Sequence, residues 1–229
     1  MRATMRRHSY RGITRRYRQY LSLVDFRRSL AVSVAFFIVG IVANAYAIVF
    51  ATEHASNPVT DIVLSNVPVF DVDGLFVYGT LLCVLFTALL FFSHPKRLPF
   101  AFYAAGLFFI VRAIFVTMTH VGNFEPHAIS DFGYTINRMF FGDDLFFSGH
   151  TGLPFLAALA FWREPTIRWF YLLMSIFFGV VVLLGHMHYT IDVFSAFFIT
   201  YGIFHMAQHF FPKENALFYS DAPRDITDV

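Results

Sequence analysis

Six long apolar stretches constrain the fold of this chain more than any other feature of its sequence. A helix needs about 20 apolar residues to cross the hydrocarbon core of a bilayer, and each stretch reaches or approaches that length. Charged residues make up 14% of the sequence, whereas a soluble globular domain carries about 25%. The sequence therefore predicts an all-α, polytopic membrane protein with six transmembrane helices in one bundle. The predicted spans cover residues 30–51, 75–92, 100–119, 145–162, 169–185 and 189–211.

The distribution of Lys and Arg predicts how these spans are oriented. Residues 1–29 hold nine arginines, and further basic pairs lie in the loops 93–99 and 163–168. The loop over residues 52–74 holds acids but no Lys or Arg. Because cytoplasmic loops are enriched in Lys and Arg, both termini are predicted to be cytoplasmic. The predicted parts are a basic N-terminal tail (1–29), a six-span membrane domain (30–211) and a C-terminal tail (212–229).

The basic N-terminal tail allows more than one interpretation. Its arginines would anchor the chain at the cytoplasmic face, where they can contact anionic lipid headgroups. Residues 1–24 hold no acid, so the tail also fits an organelle transit peptide. Nothing that resembles a base-reading fold accompanies the tail, so no nucleic-acid partner is expected.

Two polar motifs lie where predicted spans begin, and the predicted topology puts both on the non-cytoplasmic face. Polar groups at such a boundary are expensive to keep and tend to be functional. In "HYTID", His188 and Asp192 are four residues apart, which places both on one helical face. A carboxylate on one imidazole nitrogen fixes the tautomer and raises the basicity of the other nitrogen. The pair therefore predicts an oriented nucleophile or base.

The first motif, "DDLFFSGHTG" over residues 143–152, predicts a phosphate site. Ser148 is suited to cap the helix that begins there, and the backbone N–H groups of a helix start attract phosphate. His150 lies within the first turn, where it would protonate a leaving oxygen. A lone histidine near a membrane boundary is often only interfacial. Two such motifs at the ends of adjacent spans favour catalysis.

The two motifs also carry a resemblance to a known family. "GDDLFFSGHT" followed by "HYTIDV" resembles the catalytic motifs of the sphingomyelin synthase family, a membrane branch of the lipid phosphatase/phosphotransferase superfamily. "LLGHMHYTIDVFSAFFITYGIFHM" looks like that family's fifth-to-sixth span region, and "VRAIFVTMTHVG" is similar to its motif at the end of the third span. The resemblance covers residues 111–209 and implies the same six-span fold. The N-terminal third holds no recognisable motif.

Carried over position by position, the resemblance implies a catalytic triad of His150, His188 and Asp192. His188 would attack the lipid phosphate, oriented by Asp192, while His150 protonates the departing alkoxide. The resulting phospho-histidine would then be resolved by a lipid alcohol or by water. No metal or other cofactor is expected, because protein groups stabilise the charge.

Two departures from related patterns bear on the branch and the headgroup. Type 2 phosphatidic acid phosphatases carry a Ser-Arg pair just upstream of the nucleophilic His, and here those places hold Val181 and Val182. The phosphate-clamping Arg of that branch is therefore absent, which favours the synthase-like branch. The first motif reads "GDD" where the family has Cys-Gly-Asp, so Asp144 aligns with the family Asp and Asp143 is a substitution. The choice of headgroup stays open.

Several side chains near the motifs are candidates for binding the phosphate. A guanidinium fork matches phosphate oxygens, which makes Arg112 and Arg138 candidates. Arg112 lies inside the third predicted span, so it must face a cavity or pair with an acid. His186 matches a His of the family pattern. The predicted substrate-binding residues are Arg112, Arg138, Asp144, Ser148, Gly149, His186 and Tyr189.

The acids between the third and fourth spans have two interpretations. Asp143, Asp144 and Glu125 would receive a cationic amine headgroup, with Phe141 or Tyr134 adding cation–π contact. The same acids would instead cap helices if no such headgroup binds.

The sequence as a whole predicts an integral membrane enzyme whose active site opens to the periplasmic or luminal side. Its partners would be a phospholipid donor and a lipid alcohol or water as acceptor, and homo-oligomers are possible. Sphingomyelin-synthase-like transfer, phospholipase C-like cleavage and lipid-phosphate phosphatase activity differ in the acceptor and the headgroup site. From another class, the ten histidines allow a metal- or haem-binding membrane protein, which their wide separation disfavours. A non-catalytic lipid-binding relative would keep the same fold.

Overall fold

The chain is helical throughout the parts that the structure describes. The structure is a computed structural model; it describes residues 2–124 and 146–220, and side chains from residue 12 onward within them. These residues form helices and loops without a strand, which confirms the all-α prediction. A short 3-10 turn, Pro95–Arg97, precedes α4. The helices are α1 Arg2–Ser22, α2 Val24–Glu53, α3 Asp73–Ser93, α4 Leu98–Met118, α5 Gly149–Ala160, α6 Pro165–Leu184, α7 Thr190–Phe210 and α8 Pro212–Tyr219.

Five of the six predicted spans are confirmed as helices that are long and apolar enough to cross a membrane. They are α2, α3, α4 with its preceding turn, α6 and α7. The remaining prediction, residues 145–162, is represented by α5, which has 12 residues. At about 1.5 Å per residue α5 is about 18 Å long, short of a hydrocarbon core of about 30 Å. The expectation of six full-length spans is therefore not confirmed.

Protein, rather than lipid, surrounds α5. The helix packs against α4, α6 and α7, and Leu156, Ala158 and Leu159 are among its buried residues. Helix ends carry backbone groups that need partners, and such groups are tolerated at membrane depth where protein encloses them. A short helix is therefore compatible with this position in the bundle.

Helices α2 and α4 approach each other closely at a pair of glycines. A Cβ atom placed on Gly40 would lie 2.6 Å from the carbonyl oxygen of Gly106. A Cβ atom on Gly106 would lie 3.0 Å from the Cα of Phe37. Small residues let the backbones of membrane helices come together, so this crossing sets the separation of α2 and α4.

Aromatic side chains fill the centre of the bundle, while α3 lies at its edge. Phe100, Phe108, Phe147 and Phe178 are buried in one cluster formed by α4, α5, α6 and α7. Helix α3 contributes few buried residues and exposes most of its apolar surface. The exposed surface of α3 suits contact with lipid tails.

The two ends of the bundle differ in their polar contacts. We call the end that contains the starts of α5 and α7 the site end. At the opposite end Arg97 pairs with Glu164, with 2.6 Å between Nη2 and Oε1. Helix α8 closes this end, because the hydroxyl of Tyr219 donates to the Ala160 carbonyl at 2.8 Å and the Arg97 guanidinium lies over the Phe218 ring.

The glycine crossing leads to a stability prediction. Gly40→Val should lower the free energy of unfolding by about 1–3 kcal/mol, because the new side chain would overlap the α4 backbone. Thermal unfolding of the purified protein in detergent measures the change. The matched control is Gly202→Val in α7, where a Cβ atom would meet nothing within 4 Å. Equal effects at the two positions would contradict the close approach of α2 and α4.

Candidate active site

The turn that starts α7 brings His188 and Asp192 together, as their spacing predicted. Both side chains are buried, and Asp192 Oδ2 lies 3.5 Å from Nδ1 of His188. The same Oδ2 accepts a hydrogen bond from the backbone N–H of Tyr189 at 2.9 Å. Within the described part of the chain, Nδ1 of His188 makes no hydrogen bond of good geometry. Catalytic hydrogen bonds are often long in unliganded sites, so this contact is suited to tighten when the ring gains charge.

The start of α5 has the helix cap that the sequence predicted. Ser148 precedes the helix with an extended backbone, and its Oγ accepts from the Thr151 N–H at 3.4 Å. Ser148 and Thr151 are both fully buried. His150 lies one residue into α5, and its ring centroid is 4.4 Å from that of Phe76 in α3 and 6.1 Å from that of Phe178 in α6. The helix cap and the ring contacts hold the first turn of α5 in place.

One backbone hydrogen bond joins the two motifs. The N–H of Ser148 donates to the carbonyl oxygen of Asp192 at 3.1 Å. Ser148 and the start of α5 therefore lie directly against the first turn of α7, at the same end of the bundle as His188. A site in which His150 and His188 act on one phosphate requires this proximity.

Arg112 lies beside the start of α5, with its side chain 3% exposed. Its Nε donates to the Phe147 carbonyl at 2.9 Å, and its Nη1 donates to Oδ1 of Asn44 at 3.1 Å. A Cβ atom on Gly149 would lie 3.3 Å from Nε of Arg112, so this glycine leaves room for the guanidinium. The sequence indicated a cavity or an acid as the partner of Arg112. The partners found here include a neutral amide in α2, which the sequence did not single out.

The loop between α2 and α3 lies over the start of α7 through Asp61. Its carboxylate accepts from the Thr190 N–H at 2.7 Å and from the Thr190 hydroxyl at 2.8 Å. It also accepts from the backbone N–H groups of Val63 and Leu64. Burial alone would raise the pKa of Asp61, but these hydrogen bonds outweigh burial and lower it. Asp61 is thus an anchoring residue that sequence reasoning missed.

His186 and Tyr189, two of the predicted substrate-binding residues, contact backbone groups of loops at the site end. Nε2 of His186 lies 3.1 Å from the Val67 carbonyl oxygen, and the His186 backbone has a φ of 52°. The Tyr189 hydroxyl donates to the Gly122 carbonyl at 2.8 Å and accepts from the Val59 N–H at 3.1 Å. Burial is the largest cause of a raised pKa at Tyr189. These contacts hold the loops against the turn that carries His188.

Several predicted residues lie outside the described residues. Arg138 and Asp144 are the substrate-binding predictions among them, together with the candidate headgroup acids Asp143 and Glu125. Their aromatic neighbours Phe141 and Tyr134 lie outside as well. In the part of the chain that the structure describes, no three His, Cys, Asp or Glu side chains form a group that could hold a metal ion.

A comparison with protein families finds the same segment. The model described as PAP2 superfamily C-terminal matches residues 142–210, which include both motifs and the helices α5 to α7. No curated protein matches the chain. No solved structure matches it either. The matched segment is similar to phosphatases and phosphotransferases of lipid-like phosphoesters, and the five apolar helices indicate an integral membrane protein.

The Asp61 contacts lead to a prediction about pH. Asp61→Asn should lower the free energy of unfolding by about 1–3 kcal/mol near neutral pH, because it weakens charge-assisted hydrogen bonds to Thr190. The pKa of Asp61 is lowered, so this stabilisation is complete at neutral pH and is lost as the pH falls through that lowered pKa. Thermal unfolding at neutral and at strongly acidic pH measures the difference between the variant and the wild type.

Asp71→Asn is the matched control for this prediction. Asp71 is an exposed acid of the same loop, and its carboxylate accepts from the Asp73 N–H at 3.3 Å. Its replacement should change stability by less than about 0.5 kcal/mol. A loss at Asp61 that is no larger than the loss at Asp71, or that persists unchanged in strong acid, would contradict the anchoring role.

Proposed function

We propose that the chain is a membrane enzyme that cleaves or transfers a phospholipid headgroup phosphoester, in the manner of the sphingomyelin synthases it resembles. The observation that carries the proposal is the hydrogen bond from the Ser148 N–H to the Asp192 carbonyl at 3.1 Å. It places the first turn of α5, with His150, against the first turn of α7, with the His188–Asp192 pair. Two imidazoles and a carboxylate at one end of a membrane bundle are suited to covalent phosphoryl transfer.

In the first step His188 is the nucleophile. Asp192 lies on the Nδ1 side of the ring, so the lone pair of Nε2 forms the new bond to phosphorus. The bond between phosphorus and the leaving alkoxide oxygen breaks. The alkoxide takes a proton from His150, and the phosphoryl group remains on His188. The buried carboxylate of Asp192 stabilises the positive charge that develops on the His188 ring.

Charge on the phosphate oxygens is stabilised by groups at the start of α5. A helix N-terminus carries a partial positive charge and backbone N–H donors that suit an anion. The guanidinium of Arg112 lies beside the same helix start, where Gly149 gives it room. Preorganised donors of this kind need little rearrangement as charge develops, which is how they lower the barrier.

In the second step an acceptor hydroxyl regenerates the enzyme. His150, now neutral, takes the proton of a lipid alcohol or of water while the acceptor oxygen attacks phosphorus. The bond between phosphorus and Nε2 of His188 breaks, and its electron pair returns to the ring. With a lipid alcohol as acceptor the product is a new phospholipid, and with water it is a free phosphoester.

The charge at the two ends of the bundle supports an outward-facing site. Arg16, Lys96, Arg97 and Arg163 lie at the end opposite to the site or on the helices that cover it, as cytoplasmic basic residues do. We therefore place both termini in the cytoplasm and the site end on the periplasmic or luminal side. The substrate would be drawn from the lipid leaflet on that side.

A lipid-phosphate phosphatase is the second candidate function, since the matched family segment also suits it. The positions of that branch's Ser-Arg pair hold Val181 and Val182, which are buried in an apolar cluster with Val72, Phe76 and Val193. An apolar cluster offers no donor to a phosphate oxygen. This observation favours the synthase-like branch.

The proposed nucleophile leads to a prediction. His188→Ala should abolish turnover and the acid-labile phospho-protein, because no other group forms the covalent bond. Asp192→Asn should leave a folded protein whose turnover falls by up to about 10⁴-fold, the scale seen when a histidine loses its orienting carboxylate. Labelling with a phospholipid whose headgroup phosphate is radioactive, quenched with detergent at alkaline pH where phospho-histidine is stable, measures the intermediate. His205→Ala, at an exposed position of α7, is the control and should label like the wild type.

A panel of labelled phospholipids, with and without ceramide or diacylglycerol, separates transfer from hydrolysis. We expect a new phospholipid only when a lipid alcohol is present, with the released lipid in equal amount. Chelators should change the rate by less than about twofold, because protein groups supply the charge stabilisation. Release of free phosphate from phosphatidic acid as the main reaction would instead establish the phosphatase, and strong inhibition by chelators would contradict the metal-free mechanism.

A further inference from the structure

Asn44 is a buried amide in the mostly apolar central part of α2. Its side chain is 8% exposed, and it lies nine residues before the helix ends at Glu53. A polar side chain inside a membrane span is costly unless it has a partner, and such residues tend to serve function. The partner of Asn44 is the guanidinium of Arg112, which donates to Oδ1 at 3.1 Å.

The glycine crossing makes this contact possible. Gly40 and Asn44 are four residues apart, so they share the face of α2 that meets α4. At Gly40 the two backbones approach so closely that a Cβ atom would lie 2.6 Å from the Gly106 carbonyl oxygen. One turn further on, the short Asn44 side chain can therefore reach Arg112.

Asn44 is one of several described residues that constrain the Arg112 side chain. The Phe147 carbonyl accepts a hydrogen bond from Nε of Arg112 at 2.9 Å. Gly149 lies so close that a Cβ atom there would be 3.3 Å from the same Nε. Phe147 and Gly149 flank Ser148, whose N–H is bonded to Asp192. The Arg112 guanidinium is thus held against the segment that joins the two catalytic motifs.

We infer that Asn44 is a positioning residue that aims Arg112 at the phosphate while adding no negative charge, an inference that rests on the proposed function. A carboxylate at the same place would also accept the hydrogen bond. It would, however, form an ion pair that competes with phosphate for the guanidinium, and such competition is strong in a buried site. The neutral amide fixes the geometry without adding a charge that competes with the phosphate.

The test uses inorganic phosphate as the probe and the purified, full-length protein in detergent. Thermal unfolding is recorded over a phosphate titration, because a ligand that binds the folded state raises the unfolding temperature. The variants are Asn44→Asp, which keeps the acceptor and adds charge, and Asn44→Ala, which removes the acceptor. Ser33→Ala is the control: Ser33 is a fully buried polar residue of α2 whose hydroxyl bonds to its own helix at the Leu30 carbonyl.

The expected result separates positioning from packing. Asn44→Asp should be at least as stable as the wild type without phosphate, yet bind phosphate roughly tenfold or more weakly, the scale of one lost charge-assisted hydrogen bond. Asn44→Ala should weaken phosphate binding to a similar degree, and Ser33→Ala should bind like the wild type. Wild-type affinity in either Asn44 variant would overturn the inference. If the wild type itself fails to bind phosphate, the proposed function fails, and the inference falls with it.

Discussion

The backbone hydrogen bond between Ser148 and Asp192 is the contact on which the proposed site depends. It joins the start of α5 to the start of α7, and these two starts carry the two polar motifs. This bond brings the first turn of α5, which carries His150, next to the turn that carries His188. Asp192 takes part twice, because its carbonyl accepts from Ser148 while its carboxylate holds the Tyr189 N–H and faces His188.

The two helix starts are stabilised in opposite ways. At α7, two carboxylates accept from the first backbone N–H groups: Asp192 from Tyr189 and Asp61 from Thr190. Negative charge at that helix start complements its dipole. At α5, the cap is the neutral hydroxyl of Ser148, and among the described residues the positive Arg112 lies beside it. In the proposed reaction, the anionic phosphoester of the lipid would bind at the start of α5, as the carboxylates do at the start of α7.

Sequence reasoning succeeded where the structure depends on short-range pattern. Apolar runs located α2, α3, α4, α6 and α7, and four-residue spacing brought His188 to Asp192. The length of α5 was not predicted, because the apolar run in the sequence is longer than the helix. The run begins before the cap residue Ser148 and continues past the last helical residue, Ala160. Asn44 and Asp61 were missed because their partners lie 68 and 129 residues away in the chain. Both come from the N-terminal third, where no motif was recognised, and only the folded bundle brings them to the site.

The edge position of α3 has a consequence for how the membrane meets the chemistry. Phe76 contacts the His150 ring on one side of the helix, while Leu75 and Tyr78 are exposed on the other. A single helix therefore separates the surrounding lipid tails from the proposed proton donor. A change in bilayer thickness or acyl composition that shifts α3 would move Phe76, which packs against the His150 ring. The reaction rate would then depend on the host membrane as well as on the substrate.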